Sequence, residues 1–558
     1  MYKKRTLTTT LSIVILAACS PFGKDPVLTL APGLVTSDPL ASATATPFLP
    51  GEPITTDPYS FPTPEIISTA TPGMKIFISD AAPPSIRGEA EKWGMTVTYQ
   101  VETADARLLV NSDPVNSFSA MYAVVAPFPT TTDAISFSDL SNAWAGTPFG
   151  EFAGHALLMD QSTYEAMRIL LGEPAAGAVR IVPGDELLDS AWAERPVMAI
   201  VPFEELHPKW KVLELDGQSP LRKEFDASTF PLRLNFTCEG VCGSLSPSNR
   251  DPSKITTLIM TGTTALVRAT AYRMEVNGST YPARDIAPIL RSADVLHITN
   301  EISFADDCPY PDPGGGNLQF CSDPKYIALL EDVGTDVVEL TGNHVNDWGT
   351  QWLGKSIAMY RERGWGVFGG GINIEAAKKP FLIENNGNKL AFIGCNVPGP
   401  EMAWATGTSP GAAPCEDYSW LYDEISNLRD QGYIPLTTVQ YNEYYQLPPS
   451  ESQARDFMNI AQKGAAIVSG SQSHFPQGFA FEGDTYIHYG PGNLFFDQMD
   501  YPVVGTRRAA LDRYTIYDGR IIGVELITTM LEDWSRPRLM TPEERRQFLA
   551  DLFSASGW

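Results

Sequence analysis

Five short polar clusters hold the residue types that could do chemistry in this chain. They are Asn300-Glu301, Gly342-Asn343-His344-Val345-Asn346-Asp347, Gln440-Tyr441-Asn442-Glu443-Tyr444, Gly470-Ser471-Gln472-Ser473-His474 and the stretch from Tyr489 to Asp497. Each closes an apolar run, as in DVLHITNE, DVVELTGNH, IPLTTVQYNEY, GAAIVSGSQSH and TYIHYGPGN. Carboxylates and imidazoles pass protons or, with amides and hydroxyls beside them, hold cations. Parallel strands deliver such clusters to one crevice, because the loops at their carboxyl ends converge. This shared placement argues for a site more strongly than any single residue does. Structural alternatives stand beside it. Asn343-His344 also suits a capped strand-to-helix turn, and Glu301 a solvated loop acid. His297 alternates within a strand and reads as core, and His488, just before the Tyr489 turn, reads as structural.

The elements that must position these clusters form an α/β unit over 253–530. Its apolar runs are separated by helical stretches such as DPKYIALLEDVG and LGKSIAMYRERG, and a helical tail is expected over 531–558. Residues 75–235 read as a second α/β unit. KIFIS, TVTYQV, ARLLVN, AMYAVVAPF, VRIVP and VMAIVPF alternate there with amphipathic stretches such as STYEAMRILLG, which predicts a largely parallel sheet. The Cys238/Cys242 turn and the polar SPSNRDPSK mark the boundary, near 236–254. So long a chain is too large for one core, which also argues for two domains.

The N-terminus reads as an export and anchoring signal. Lys3, Lys4 and Arg5 precede a short apolar stretch, Leu7 to Leu16, well below the roughly 20 residues of a spanning helix. It ends in Leu16-Ala17-Ala18-Cys19, so residues 1–18 are expected to be cleaved and Cys19 lipidated; an ordinary secretory signal is the alternative. Residues 19–74, rich in Pro, Thr and Ser, cannot bury enough apolar surface to offset ordering and read as a disordered stalk. The formal charge of −26 excludes nucleic acid as a partner and disfavours a polyanionic ligand unless a basic patch is local. The cysteines after Cys19 fall into close pairs, Cys238 and Cys242, Cys308 and Cys321, Cys395 and Cys415. In an exported chain they read as sequential disulfides; a zinc site is the alternative, but Cys-x-x-Cys knuckles are absent.

The ordered clusters from about Thr256 to Asp500 resemble the bacterial capsule or poly-γ-glutamate synthesis proteins (CapA-type). Asn300-Glu301 matches that family's "NxE", Gly342–Asp347 its "NNHxxD", Gly369–Pro380 its "G.G.n..eA..P", and Tyr489–Asp497 its "YSLGNFxFD". The resemblance implies a calcineurin-like metallophosphoesterase fold, an α/β sandwich whose parent site activates water between two divalent cations. Several parent ligands are replaced here. Thr263 and Thr264 stand where an aspartate is expected, and Gln440, Ser471 and Gln472 stand at histidine positions. What survives implies at most one divalent ion, held by Glu301, Asn343, His344 and His474, or no cofactor and acid–base work by Glu301, His344, Asp347 and His474. Gln440, Tyr441, Glu443, Gln472 and Asn493 are expected to contact a polymer, with Tyr444, Trp348 and Phe475 as an aromatic wall and Asp497 shaping the loop.

A looser passage, MYAVVAPFPTTTDAISFSDLSNAWAG, resembles periplasmic solute-binding proteins. The expectation is a membrane-anchored extracytoplasmic lipoprotein that binds or processes an envelope polymer, poly-γ-glutamate or a polysaccharide, beside capsule-synthesis machinery. An extracytoplasmic solute binder and a metal-dependent phosphoesterase with rewired ligands are the rival readings.

Overall fold

The computed structural model describes residues 73–111, 117–316 and 318–558, which belong to one compact unit, Ile67–Trp558. The expected signal segment, Cys19 and the expected stalk up to residue 72 lie outside the described residues. Among the described residues no helix is long and apolar enough to cross a membrane.

A nine-stranded sheet occupies the N-terminal part. Its order is Thr96–Thr98, Lys75–Ile78, Ala106–Val110, Arg233–Gly240, Phe118–Pro127, Ala199–Pro202, Leu157–Met159 and Val179–Ile181, with Trp210–Val212 also beside Phe118–Pro127. The flanks pair in parallel. The two central strands, Arg233–Gly240 and Phe118–Pro127, pair antiparallel with every strand beside them. The sheet is therefore mixed, not largely parallel. Antiparallel pairing needs no crossover helix, so Arg233–Gly240 can return along the buried strand Phe118–Pro127 directly.

The C-terminal part is a sandwich of two sheets. In the first, Gly366–Phe368, Val337–Glu339, Val295–Asn300 and Ile255–Thr264 run parallel, and an antiparallel meander of Arg508–Tyr517, Arg520–Glu532 and Arg536–Leu539 continues the sheet. In the second, Asn388–Asn396, Ile434–Gln440, Ile467–Ser471 and Thr485–His488 run parallel between antiparallel edge strands. Leu258, Met260, Val295 and Val337 of one sheet share an apolar core with Leu390, Phe392, Leu436 and Ile467 of the other. Helices Arg268–Asn277 and Thr350–Glu362 cover the first sheet, and Ser419–Asp430 and Glu451–Gln462 the second. Strands buried on both faces explain why their sequences are continuous apolar runs and not alternating ones. The segment after residue 530 is not wholly helical: Arg536–Leu539 is the sheet's edge, and helix Pro542–Ala555 follows, opened by a Thr541/Glu544 capping box.

Two features join the N-terminal sheet to the sandwich. Phe128 inserts edge-on among Phe479, Phe481, Tyr486, Phe553 and Trp558. Arg545 of the last helix grips Asp133 with two guanidinium nitrogens, at 2.6 and 2.8 Å. The three disulfides pair in sequence order: Cys238–Cys242, Cys308–Cys321 and Cys395–Cys415.

Candidate functional site

The polar clusters meet where the parallel strands of both sheets end. Glu301 follows Val295–Asn300, Gln440 and Ser471 are the last residues of their strands, and Asn343 and His344 lie in the loop after Val337–Glu339. This crowding explains two glycines. A Cβ on Gly342 would sit 2.8 Å from Glu301 Cγ, and one on Gly262 would sit 2.1 Å from the carbonyl oxygen of Gly492. Gln472 and His474 both have positive φ, at 69° and 50°, a strain that clusters at functional sites.

Gln440 is the hub. Its side-chain nitrogen donates to Glu301 Oε1 at 2.9 Å, Gln472 Oε1 at 3.0 Å and Asn343 Oδ1 at 3.2 Å. Its Oε1 accepts from Ser471 Oγ at 2.8 Å, and the same hydroxyl lies 3.1 Å from Glu339 Oε1. Glu339 also meets His297 Nε2 at 3.1 Å, Thr299 Oγ1 at 2.9 Å and Thr341 Oγ1. Burial alone would raise the Glu339 carboxyl; the His297 hydrogen bond, with those of Thr341 and Thr299, holds it below its ordinary value. A continuous polar chain thus runs from the core between the sheets to the crevice. His297 is core, as its alternation predicts, but a core residue that supports this chain.

Two histidines face the crevice with their Nδ1 atoms occupied. His344 Nδ1 lies 2.7 Å from Asp347 Oδ2, which also accepts from the Phe320 backbone N–H at 3.0 Å. Phe320 packs edge-on against the His344 ring, and the neighbouring Cys308–Cys321 disulfide closes the loop that carries it. Burial lowers the His344 pKa, yet the Asp347 hydrogen bond and the field of Glu301 outweigh it, leaving the pKa raised. His474 Nδ1 lies 2.9 Å from Asn493 Oδ1, and Asn493 in turn donates to the His474 carbonyl. Asn493 therefore positions His474 and has little left for a polymer.

The loop that leaves Gln440 contributes Glu443 to a groove of about 770 Å³, lined also by Arg268, Tyr272, Arg273, Tyr445, Asp497, Tyr501 and Trp534 together with the Gly314–Gly316 turn. Glu443 lies in it. Tyr441 does not: it is buried against Phe457, and its hydroxyl donates to Asp456 at 2.9 Å. Successive residues at a strand end point to opposite faces, so Gln440 and Tyr441 cannot both face the crevice. Phe475 is buried, and Trp348 is tied to Asp307. The aromatic wall is instead Tyr272, Tyr445, Tyr501 and Trp534. Asp497 shapes the loop, gripping Arg268 through two side-chain contacts and accepting from the Ala269 N–H.

Glu339 and Arg268 escaped the sequence reading. Glu339 is hidden inside DVVEL, where it passes for part of a strand, and its one signal is a carboxylate in an otherwise apolar run. Arg268 sits between the Phe320 and Phe496 rings, 5.1 and 5.0 Å from their centroids, and no local pattern announces it.

Residues 257–498 match the family described as Bacterial capsule synthesis protein PGA_cap. That match falls within the sandwich. Over 325 residues the chain is 23% identical to the Capsule biosynthesis protein CapA of Bacillus anthracis, covering 56% of this chain and 78% of that one. It is 23% identical over 233 residues to the PGA biosynthesis protein CapA of Bacillus subtilis, covering 41% of this chain and 59% of the relative. Among solved structures, the NAD nucleotidase of Haemophilus influenzae is 12% identical over 54% of this chain and 56% of its own, with a TM-score of 0.30.

These residues form the α/β sandwich that the resemblance implies, but they do not fit a divalent centre. Among the described residues no three His, Cys, Asp or Glu side chains gather as a metal-binding group. Of the four expected ligands, Glu301 and Asn343 both turn an oxygen to the Gln440 amide nitrogen, a hydrogen-bond donor and not a ligand. At the place of the missing aspartate, the buried Thr264 hydroxyl has no hydrogen-bond partner.

Proposed function

We propose that this chain is an extracytoplasmic, lipid-anchored capsule-synthesis protein that binds an envelope polymer along the groove beside the Gln440 hub. The family match supports a role in making a capsule or poly-γ-glutamate. The three disulfides support an extracytoplasmic setting. The observation that carries the binding role is the groove itself. It is open and aromatic, it takes in Glu443 from the loop after Gln440 and Arg268, which stacks on the Phe320 ring that packs against His344, and Tyr501 on its rim is 74% exposed. Exposed rings at a polar cleft suit the apolar faces of sugars and polymer backbones.

The charge balance selects between the polymers. Among the described lining residues Arg268 and Arg273 stand against Glu443 and Asp497, and each arginine is already paired, with Asp497 and Asp533. A groove without surplus positive charge, in a chain of formal charge −26, favours an uncharged glycan over polyglutamate. Glu301, His344 and Asp347 add proton-transfer capacity beside the bound chain, so processing of the polymer remains within this chemistry.

Titration of the full chain with dextran, chitooligosaccharides and poly-γ-glutamate, at low and high salt, tests the proposal. A neutral glycan should bind with little salt dependence and polyglutamate more weakly. Tight, salt-sensitive polyglutamate binding would reverse the choice of polymer, and binding of none of the three would remove the role.

A further inference from the structure

We infer that the amide nitrogen of Gln440 has taken the place of a cation, so that a hydrogen-bonded –NH2 group now organises the oxygens a metal would otherwise gather. Three oxygens from three different loops converge within 3.2 Å of this one atom: Glu301 Oε1, Gln472 Oε1 and Asn343 Oδ1. Convergence of several oxygens on a point is what a cation produces. An amide offers two hydrogens, so one of the three acceptors must share, and the nitrogen is oversubscribed.

The chemistry fixes which end of the amide faces this cradle. The amide nitrogen lies 2.9 Å from Glu301 Oε1 and donates to it, the pairing that a carboxylate oxygen acceptor calls for. The other end is satisfied separately by the Ser471 hydroxyl, itself beside Glu339. Gln440 is 1% exposed and Gln472 7%, so solvent does not compete for these groups. A neutral donor suffices because one carboxylate, Glu301, is the only formal charge among the three acceptors. The hub is thus a positioning device: it fixes Glu301 and Asn343 at the crevice without an ion, and it reaches the core through Ser471 and Glu339.

The inference does not depend on which polymer the groove takes, and its test uses ions alone. The full chain and its Gln440→Ala and Gln440→His variants would be dialysed, assayed for bound metal, and melted with and without Mn2+ or Zn2+. The wild-type chain should emerge metal-free, and its melting temperature should not respond to either ion. Gln440→Ala opens the cradle and leaves its oxygens without a donor, so it should melt lower and recover part of the loss in Mn2+. Gln440→His adds an imidazole to the same oxygens and should bind Zn2+ at least tenfold more tightly than wild type does. Should Gln440→Ala fail to fold, the Zn2+ affinity of Gln440→His decides the matter by itself. A stoichiometric ion that survives dialysis of the wild-type chain and disappears in Glu301→Gln would overturn the inference, and so would ion responses no stronger in either variant than in wild type.

Discussion

The sandwich holds two buried polar clusters that look alike in composition and differ in what they can reach. One is centred on Asp512, which accepts from Tyr486 at 3.0 Å and Tyr514 at 3.1 Å and lies 2.7 Å from His488 Nδ1. All four residues are 0–1% exposed, and the cluster ties the meander of the first sheet to a strand of the second. The other is the Gln440 hub, equally buried at its root but open at its tip, where the His344 side chain keeps 25% of its surface. Burial of polar groups therefore does not by itself mark a site. What separates the clusters is access: one is a closed clasp, the other a polar chain that surfaces beside a groove.

The largest test of that contrast is Asp512→Ala. It strips the shared acceptor from two phenols and an imidazole in a sealed interior and should cost about 3–5 kcal/mol. Denaturant titration measures this, with ligand binding by the surviving folded fraction unchanged. A loss below about 1 kcal/mol would mean that the clasp holds little.

Opening the Cys308–Cys321 loop should come next. Replacing both cysteines by serine removes a short covalent loop and should cost about 3 kcal/mol in the oxidised chain, read as a shift in denaturation midpoint. The same change frees the loop that brings Phe320 to His344 and Asp347. Polymer binding should weaken with stability here, whereas Asp512→Ala should separate the two.

The smallest effect is a pH dependence at the open cluster. The His344 pKa is raised in the folded state, so its contribution to stability is complete below the ordinary value of 6.5 and disappears as pH rises through the higher folded value. Asp347→Asn should return the His344 pKa toward 6.5 and flatten that slope, as followed by the imidazole proton resonances. An unchanged titration would show that Asp347 does not set it.

Much of the crevice was legible in the sequence because strand-end clusters are local patterns. Gly342–Asp347 and Gly470–His474 each follow an apolar run; parallel pairing aligns the strand ends within each sheet, and the packing of one sheet on the other brings the two ends together. The replaced ligands at Thr263, Gln440 and Gln472 were equally visible, since they stand within those patterns. Three things were not. Glu339 owes its role to residues on two other strands, which no local window contains. Tyr441 was placed on the wrong face because the turn after Gln440 hid the alternation. The N-terminal sheet was expected to be largely parallel because helices alternate with its strands, but the direction of Arg233–Gly240 is set by partners more than a hundred residues away.

The central claim, that the groove beside the hub is where a polymer lies, is tested most directly by a binding isotherm for Tyr501→Ala and Trp534→Ala against the glycan that the wild-type chain binds best. Tyr501 is largely exposed and the account gives it no structural duty, so its removal should leave the melting temperature unchanged. Affinity should fall about tenfold or more, the scale of losing one aromatic anchor, for each variant. Wild-type affinity in both variants would contradict the account and move the polymer elsewhere on the molecule.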